Sequence, residues 1–195
     1  KGKALFQLGL WKKRSEIHSS PSKRMIARGL FHSIKSLSKN GMLALEFETP
    51  VNKNDLVIDI GSNDGNLLSN FKNSHKVLGV TPEKIGKIAI KKGIPTIIDY
   101  FNEKISSKII KRHGKATVIT ATNVFAHIDN INSIVRSILK TLKTDGIFIS
   151  ESHYLLPLIQ TVQYDTIYHE HLRYYSLESL NFLFKKHNLE IIDTK

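Results

Sequence analysis

The sequence predicts an α/β protein with a Rossmann-like, mostly parallel sheet and helices on both of its faces. Three observations predict it. From residue 56 onward, short apolar runs alternate with longer stretches whose apolar residues recur every three or four positions. The first of those runs, Leu56 to Ile60, leads straight into a bend with two glycines, Gly61 and Gly65. The chain has 195 residues, 41% of them hydrophobic, which suits one domain with a full core. Strands that alternate with helices pair in parallel, and right-handed crossovers cover both faces.

The elements follow in order. Residues 1 to 20 are basic and weakly patterned. Ser20-Pro21 starts a helix, with Ser as N-cap and Pro at the first helical position. Ile26, Leu30, Ile34 and Leu37 give it one buried face, and Asn40-Gly41 ends it. Residues 1–45 therefore read as a basic helical extension and 46–195 as the α/β domain. Within the domain, Leu56–Ile60 is the first strand and Asn66–Phe71 opens a helix. Lys76–Val80 is a strand and Glu83–Lys92 a helix. Pro95–Ile98 is a strand and Phe101–Arg112 a helix. Ala116–Ala121 is a strand, Asn130–Leu142 a helix and Gly146–Ser150 a fifth strand. A short helix over Tyr154–Gln160, a helix over Leu177–His187 and a strand over Leu189–Ile192 complete the pattern.

Composition narrows the chemistry. The sequence has no cysteine, which removes disulfides, zinc–cysteine sites and thiol catalysis from this segment and is compatible with a cytoplasmic protein. No apolar run approaches the roughly 20 residues that span a bilayer, so a soluble protein is expected. Lys and Arg number 29 against 17 Asp and Glu, a net charge of +12. Such an excess attracts polyanions, so nucleic acid and phosphate-bearing small molecules are the candidate partners. A solvated lysine-rich surface is the plainer reading.

Two segments carry candidate chemistry. Val57-Ile58-Asp59-Ile60-Gly61-Ser62-Asn63-Asp64-Gly65 sits between the first strand and its helix, where glycines let a backbone approach a ligand. Position 63 is Asn, so the bend is a poor dinucleotide fingerprint. The second is Tyr164-Asp165-Thr166-Ile167-Tyr168-His169-Glu170-His171-Leu172-Arg173-Tyr174-Tyr175, dense in titratable and aromatic groups and placed after the fifth strand. A histidine titrates near neutrality and suits proton removal, and a tyrosine hydroxyl can donate to a developing oxyanion. Two other readings stand beside this one. His169-x-His171 could place two imidazoles on one face for a metal, although H-E-x-x-H is absent because position 173 is Arg. The rings could also simply fill the space between the sheet and the last helix. His127, in Thr122-Asn123-Val124-Phe125-Ala126-His127-Ile128, leaves the fourth strand beside the same edge.

Taken together, these segments resemble the sugar C-methyltransferase family, enzymes that methylate nucleotide-linked keto-deoxysugars. The matching stretches are Asp59–Gly65, Gly93-Ile94-Pro95-Thr96, Thr122–Ile128, Glu151-Ser152-His153-Tyr154-Leu155-Leu156 and, most specifically, Asp165–Leu172. The resemblance runs from about residue 50 to the C-terminus. It implies a class I S-adenosylmethionine-dependent methyltransferase domain and S-adenosylmethionine as cofactor; no metal site is expected among the residues of this sequence. Asp59 would order the glycine loop, and Gly61 and Gly65 would make room for the amino acid end of the cofactor, with Ser62, Asn63 and Asn123 beside it. Thr81 stands where an acid usually meets the ribose hydroxyls, with Glu83 as an alternative from the next turn. Asp99 would meet the adenine side, or is a surface loop acid. The implied substrate is a TDP-linked 4-keto sugar. His171 would be the general base, with Tyr168, Glu170 and His127 positioning the sugar or stabilising the enolate.

The departures from that family shape the rival expectations. Its members carry a cysteine-rich zinc-binding segment and a further C-terminal domain, and neither is in this sequence. A fragment, a reduced form, or a domain completed by a partner chain all fit. An RNA or other O- or N-methyltransferase is the alternative that the +12 charge suggests, with nucleic acid the less favoured partner. The fourth strand leaves as Asn123-Val124-Phe125-Ala126, without the N-P-P-Y or D-P-P-Y of amino-group methyltransferases. A binding module without activity is the third alternative, and Thr81 is its best support.

Overall fold

The computed structural model describes residues 6–13, 35–36, 45–46 and 54–194. Its main sheet has seven strands: β1 (Phe6–Lys13), β4 (Leu56–Ile60), β5 (Lys76–Thr81), β6 (Thr96–Ile98), β7 (Ala116–Thr122), β8 (Leu142–His153) and β9 (Leu189–Thr194). Their order across the sheet is β6-β5-β4-β7-β8-β1-β9. The run from β6 to β8 is parallel, and β1 is antiparallel to both β8 and β9. A separate antiparallel pair joins β2 (Lys35–Ser36) to β3 (Leu45–Glu46). The helices are α1 (Asn66–Ser69), α2 (Gly86–Lys91), α3 (Glu103–His113), α4 (Ile131–Thr141), α5 (Leu155–Gln160) and α6 (Leu177–Lys185).

Period-two alternation divides the strands between two cores. Ile58, Leu78, Ile119 and Phe148 face one side and pack with Ile105, Ile109, Val135, Ile138, Leu180 and Phe184 from α3, α4 and α6. Val57, Val77, Val118, Ile147 and Ile149 face the other, against Leu67 and Leu68 of α1 and Ala89 of α2. Helix starts are set locally. The side chain of Asn102 accepts the Ile105 N–H at 3.0 Å, and that of Asn130 accepts the Ser133 N–H at 3.1 Å. Ser176 and Ser179 form a reciprocal capping box at α6. A positive φ at Gly114 closes α3.

The expected α/β alternation holds from residue 56 to the end, and three stretches depart from expectation. Phe6–Lys13, read as weakly patterned extension, is a strand inside the main sheet, from Phe6 opposite His153 to Trp11 opposite Phe148. Lys35 and Ser36 pair with Leu45 and Glu46, so the helix expected through Leu37 does not run on past Ile34; Ile26, Leu30 and Ile34 lie outside the described residues. The fifth strand, expected over Gly146–Ser150, extends to His153. Glu151, Ser152 and His153 carry no apolar signal, but β7 pairs with Glu151 on one side and β1 with all three on the other. Among the described residues, no helix is long and apolar enough to cross a membrane.

Candidate active site

The loops that leave the carboxyl ends of β4, β5, β6, β7 and β8 share one edge of the sheet, the edge where open α/β sheets bind ligands. After β4, the N–H groups of Gly61 and Ser62 both donate to the Val80 carbonyl, at 2.8 and 3.2 Å. Gly61 and Gly65 have φ of 79° and 78°, and Asn63 has φ 48°. This is the left-handed geometry that the glycine spacing predicts. The space at the glycines is filled by the protein itself. A Cβ on Gly61 would lie 2.4 Å from Val124 Cγ2, and one on Gly65 would lie 2.8 Å from Ala89 Cβ and Ile94 Cδ1. Ser62 is only 4% exposed, and its hydroxyl has no hydrogen-bond partner among the described residues. That hydroxyl lies against β5, 2.5 Å from where a Cβ on Gly79 would stand, so the part of the bend that can meet the amino acid end of S-adenosylmethionine is its left-handed backbone and the exposed Asn63.

The acid of the bend sits deeper than expected. Asp59 is 2% exposed and accepts the Thr120 hydroxyl at 2.6 Å. Burial pushes its pKa up to about 7, against the lowering effect of that hydrogen bond. The Thr120 hydroxyl that it accepts from is on β7, not in the loop. Thr81 is 1% exposed, and its hydroxyl accepts the Glu83 N–H at 3.4 Å, so it is turned into its own turn. Asp99 is exposed at the end of β6; its N–H donates to the Thr81 carbonyl and its carboxylate accepts the Tyr100 N–H.

Beside Gly61, Asn123 leaves β7 with φ 54°. Its N–H donates to the Glu151 carbonyl at 2.9 Å, and its Nδ2 donates to Glu151 Oε1 at 3.1 Å. Burial raises the pKa of Glu151, with Asn123 acting the other way. A 3-10 turn over Phe125–His127 follows. The 168–173 loop is tied down on this turn. Leu172 N–H donates to the Ala126 carbonyl, His127 Nδ1 meets the Glu170 carbonyl at 3.0 Å, and Arg173 donates to the carbonyls of Ile128 and Asp129. Glu170 therefore reaches the cluster through its main chain; its carboxylate is exposed, 4.0 Å from His169 Nε2.

These ties gather three imidazoles. The His171 ring lies 4.9 Å from that of His127 and 5.6 Å from that of His153, centroid to centroid. His171 Nδ1 is 3.0 Å from the Thr166 carbonyl, and its Nε2 is 2.8 Å from the Tyr168 hydroxyl. A carbonyl only accepts, so Nδ1 carries the proton and Nε2 presents its lone pair to the phenol. Burial, reinforced by His171 and His127, holds His153 below the usual histidine range. A cavity of about 10 Å³ lies among Asn123, Ala126, Ser152, His153, His171, Arg173, Tyr174 and Tyr175. The structure thus brings together His127, Tyr168, His171 and Asn123 and adds Ser152 and His153, which the sequence reading placed in a motif but gave no role. The only signal for them was polar residues directly continuing an apolar strand.

Comparisons with known proteins bear on the family and the fold. A family model described as a methyltransferase domain matches residues 27–194. The chain is 38% identical over 141 residues to the C-methyltransferase NovU of Streptomyces niveus, covering 71% of this chain and 34% of that protein. It therefore spans about a third of that relative's length. Among solved structures, a SAM-dependent methyltransferase from Archaeoglobus fulgidus superposes with a TM-score of 0.55 at 16% identity, covering 68% of this chain and 59% of that one. YcgJ from Bacillus subtilis gives 0.51 at 19% identity, covering 69% and 62%. Fold, glycine bend and family model converge: the chain belongs to the methyltransferase domain family, as a class I S-adenosylmethionine-dependent methyltransferase domain.

Proposed function

We propose that this domain methylates carbon, on a nucleotide-linked keto sugar, by removing the proton next to the ketone. The observation that carries the reading is the His171–Tyr168 pair, set in a ring of imidazoles on the loop edge that also holds the glycine bend. S-adenosylmethionine supplies an activated methyl group on a sulfonium and needs no further activation. The work left to the protein is to make a carbanion, which needs a base and an oxyanion partner. His171 is the base: the Thr166 carbonyl fixes its tautomer, and Nε2 takes the proton. The substrate displaces the Tyr168 hydroxyl from Nε2, which frees the phenol to donate to the enolate oxygen. His127, held by the Glu170 carbonyl, positions the sugar. The backbone of Gly61, with Asn63 and Asn123, flanks the cofactor's amino acid end, and Asp99 is the exposed acid on its nucleoside side. The similarity to NovU supports carbon as the acceptor atom, and the net charge of +12 favours a phosphate-bearing substrate.

The test combines binding with turnover. Calorimetry with S-adenosylhomocysteine, repeated with TDP and with a short RNA, is expected to show binding that TDP enhances and RNA leaves alone. With a TDP-linked 4-keto-6-deoxyhexose, mass spectrometry is expected to find one added methyl on carbon. His171→Asn is expected to lose transfer by about 100-fold or more while keeping S-adenosylhomocysteine affinity. Undiminished turnover in that variant, or methylation of the RNA instead of the sugar, overturns the reading.

A further inference from the structure

Glu151 is a carboxyl group with no electrostatic support from its neighbours. It lies near the carboxyl end of β8, opposite Thr122 on β7 and Leu8 on β1, and is 8% exposed. Its Oε1 accepts from Asn123 Nδ2 at 3.1 Å, the one hydrogen bond that the carboxylate makes among the described residues. Oε2 has none. The chain carries 29 Lys and Arg, yet no cationic side chain of the described residues pairs with Glu151. A buried carboxylate without a cation is costly, so burial raises its pKa and favours the protonated form.

Two links through Asn123 place this group between the glycine bend and the imidazoles. Asn123, whose amide holds Oε1, lines the small cavity together with His153 and His171. The next residue, Val124, lies against the bend, since a Cβ on Gly61 would be 2.4 Å from its Cγ2. The Asn123 N–H also donates to the Glu151 carbonyl at 2.9 Å, so the two residues are tied by main chain and side chain alike. A carboxyl placed there, short of one cation and one hydrogen-bond donor, calls for a ligand group that is both.

We propose that Glu151 is the counter-charge for the α-ammonium of S-adenosylmethionine, which donates to Oε2. The inference rests on the placement, proposed above, of the cofactor's amino acid end beside Gly61 and Asn123, and adds a binding residue to it. The cofactor carries two cationic centres, the ammonium and the sulfonium. A sulfonium has no N–H or O–H to donate. An ammonium has three N–H donors, so it supplies both the charge and the hydrogen bond that Oε2 lacks. Asn123 is then the positioning residue, since its amide fixes Oε1 and leaves Oε2 for the ligand.

Calorimetry with a ligand series tests it. S-adenosylhomocysteine keeps the ammonium and lacks the sulfonium, and methylthioadenosine lacks the whole amino acid end. Glu151→Gln removes the charge and keeps an oxygen for Asn123. It is expected to weaken S-adenosylmethionine and S-adenosylhomocysteine alike by about 10-fold or more, with methylthioadenosine affinity within about twofold. The retained nucleoside binding shows that the variant is folded. In the wild type, an S-adenosylhomocysteine analogue with hydrogen in place of the ammonium is expected to bind about 10-fold more weakly or worse, a comparison that needs no variant. Unchanged S-adenosylhomocysteine affinity in Glu151→Gln, or a wild type indifferent to the ammonium, overturns the inference. A loss confined to S-adenosylmethionine gives the carboxylate to the sulfonium, and an equal loss with all three ligands marks a structural role; either overturns it too. Each of these results leaves the proposed methylation of carbon standing. A wild type that binds neither S-adenosylmethionine nor S-adenosylhomocysteine overturns the cofactor placement, and this inference with it.

Discussion

Asp59 is a carboxyl group buried in the middle of a parallel sheet, and the Thr120 hydroxyl is the hydrogen-bond partner that holds it. Such a group keeps its proton more tightly in the folded state than in the unfolded chain. Its pKa rises from 3.8 to about 7 on folding. Between those values the folded state binds more protons, so stability is highest at the acid end, declines as pH rises toward about 7, and is level beyond it. Asp59→Asn removes the titration and keeps an oxygen for Thr120. The variant is expected to gain on wild type between pH 4 and about pH 7 and to hold that difference at pH 8, which thermal melts across that range will show. Equal pH dependence in the two proteins would place the buried proton elsewhere. His153 is shifted the other way, toward neutrality, by burial and by the two imidazoles it faces. A neutral His153 spares the cluster around His171 a positive charge.

At the scale of elements, the glycine bend shows how spacing and packing divide the work. The positive φ values of Gly61 and Gly65 follow from sequence, because the turn between strand and helix needs left-handed backbone. What the missing Cβ atoms make room for does not follow, since Val124 arrives from 63 residues further along the chain. Gly61→Ala combines left-handed strain with a clash at 2.4 Å. A loss of about 2–4 kcal/mol is expected in urea unfolding. Adding Val124→Ala should restore the steric part and leave about 1 kcal/mol of backbone strain. A double variant no more stable than Gly61→Ala alone would mean that the clash is not the cause. The 168–173 loop follows the same logic. Its residue types were legible as acid–base chemistry, but its seat on the Phe125–Asp129 turn depends on Arg173 finding two carbonyls 44 and 45 residues away. No local pattern encodes that.

For the whole molecule, the strand β1 closes the sheet between β8 and β9. It pairs at six positions with β8 and at five with β9. At roughly 1 kcal/mol net per hydrogen bond, losing it costs several kcal/mol, a large share of a total stability of about 5–15 kcal/mol. Deleting residues 1–13 is expected to lower the urea midpoint sharply and to cause association, because the edge of β8 is then unpaired. Unchanged unfolding and a monomeric elution profile would show that β1 adds nothing to the sheet. The sequence by itself determined the alternation of strands and helices from residue 56, the glycine bend and the presence of a histidine–tyrosine cluster. Each of these depends on residues within a turn or two of one another, so periodicity and spacing reveal them. Tertiary structure alone decided that Phe6–Lys13 is a sheet strand, that the fifth strand runs on to His153, that Asp59 turns to Thr120, and that His153 meets His171. Those outcomes depend on partners about 20 to 180 residues apart. Chain closure brings such partners together, and the stretches they come from carry no mark of the pairing.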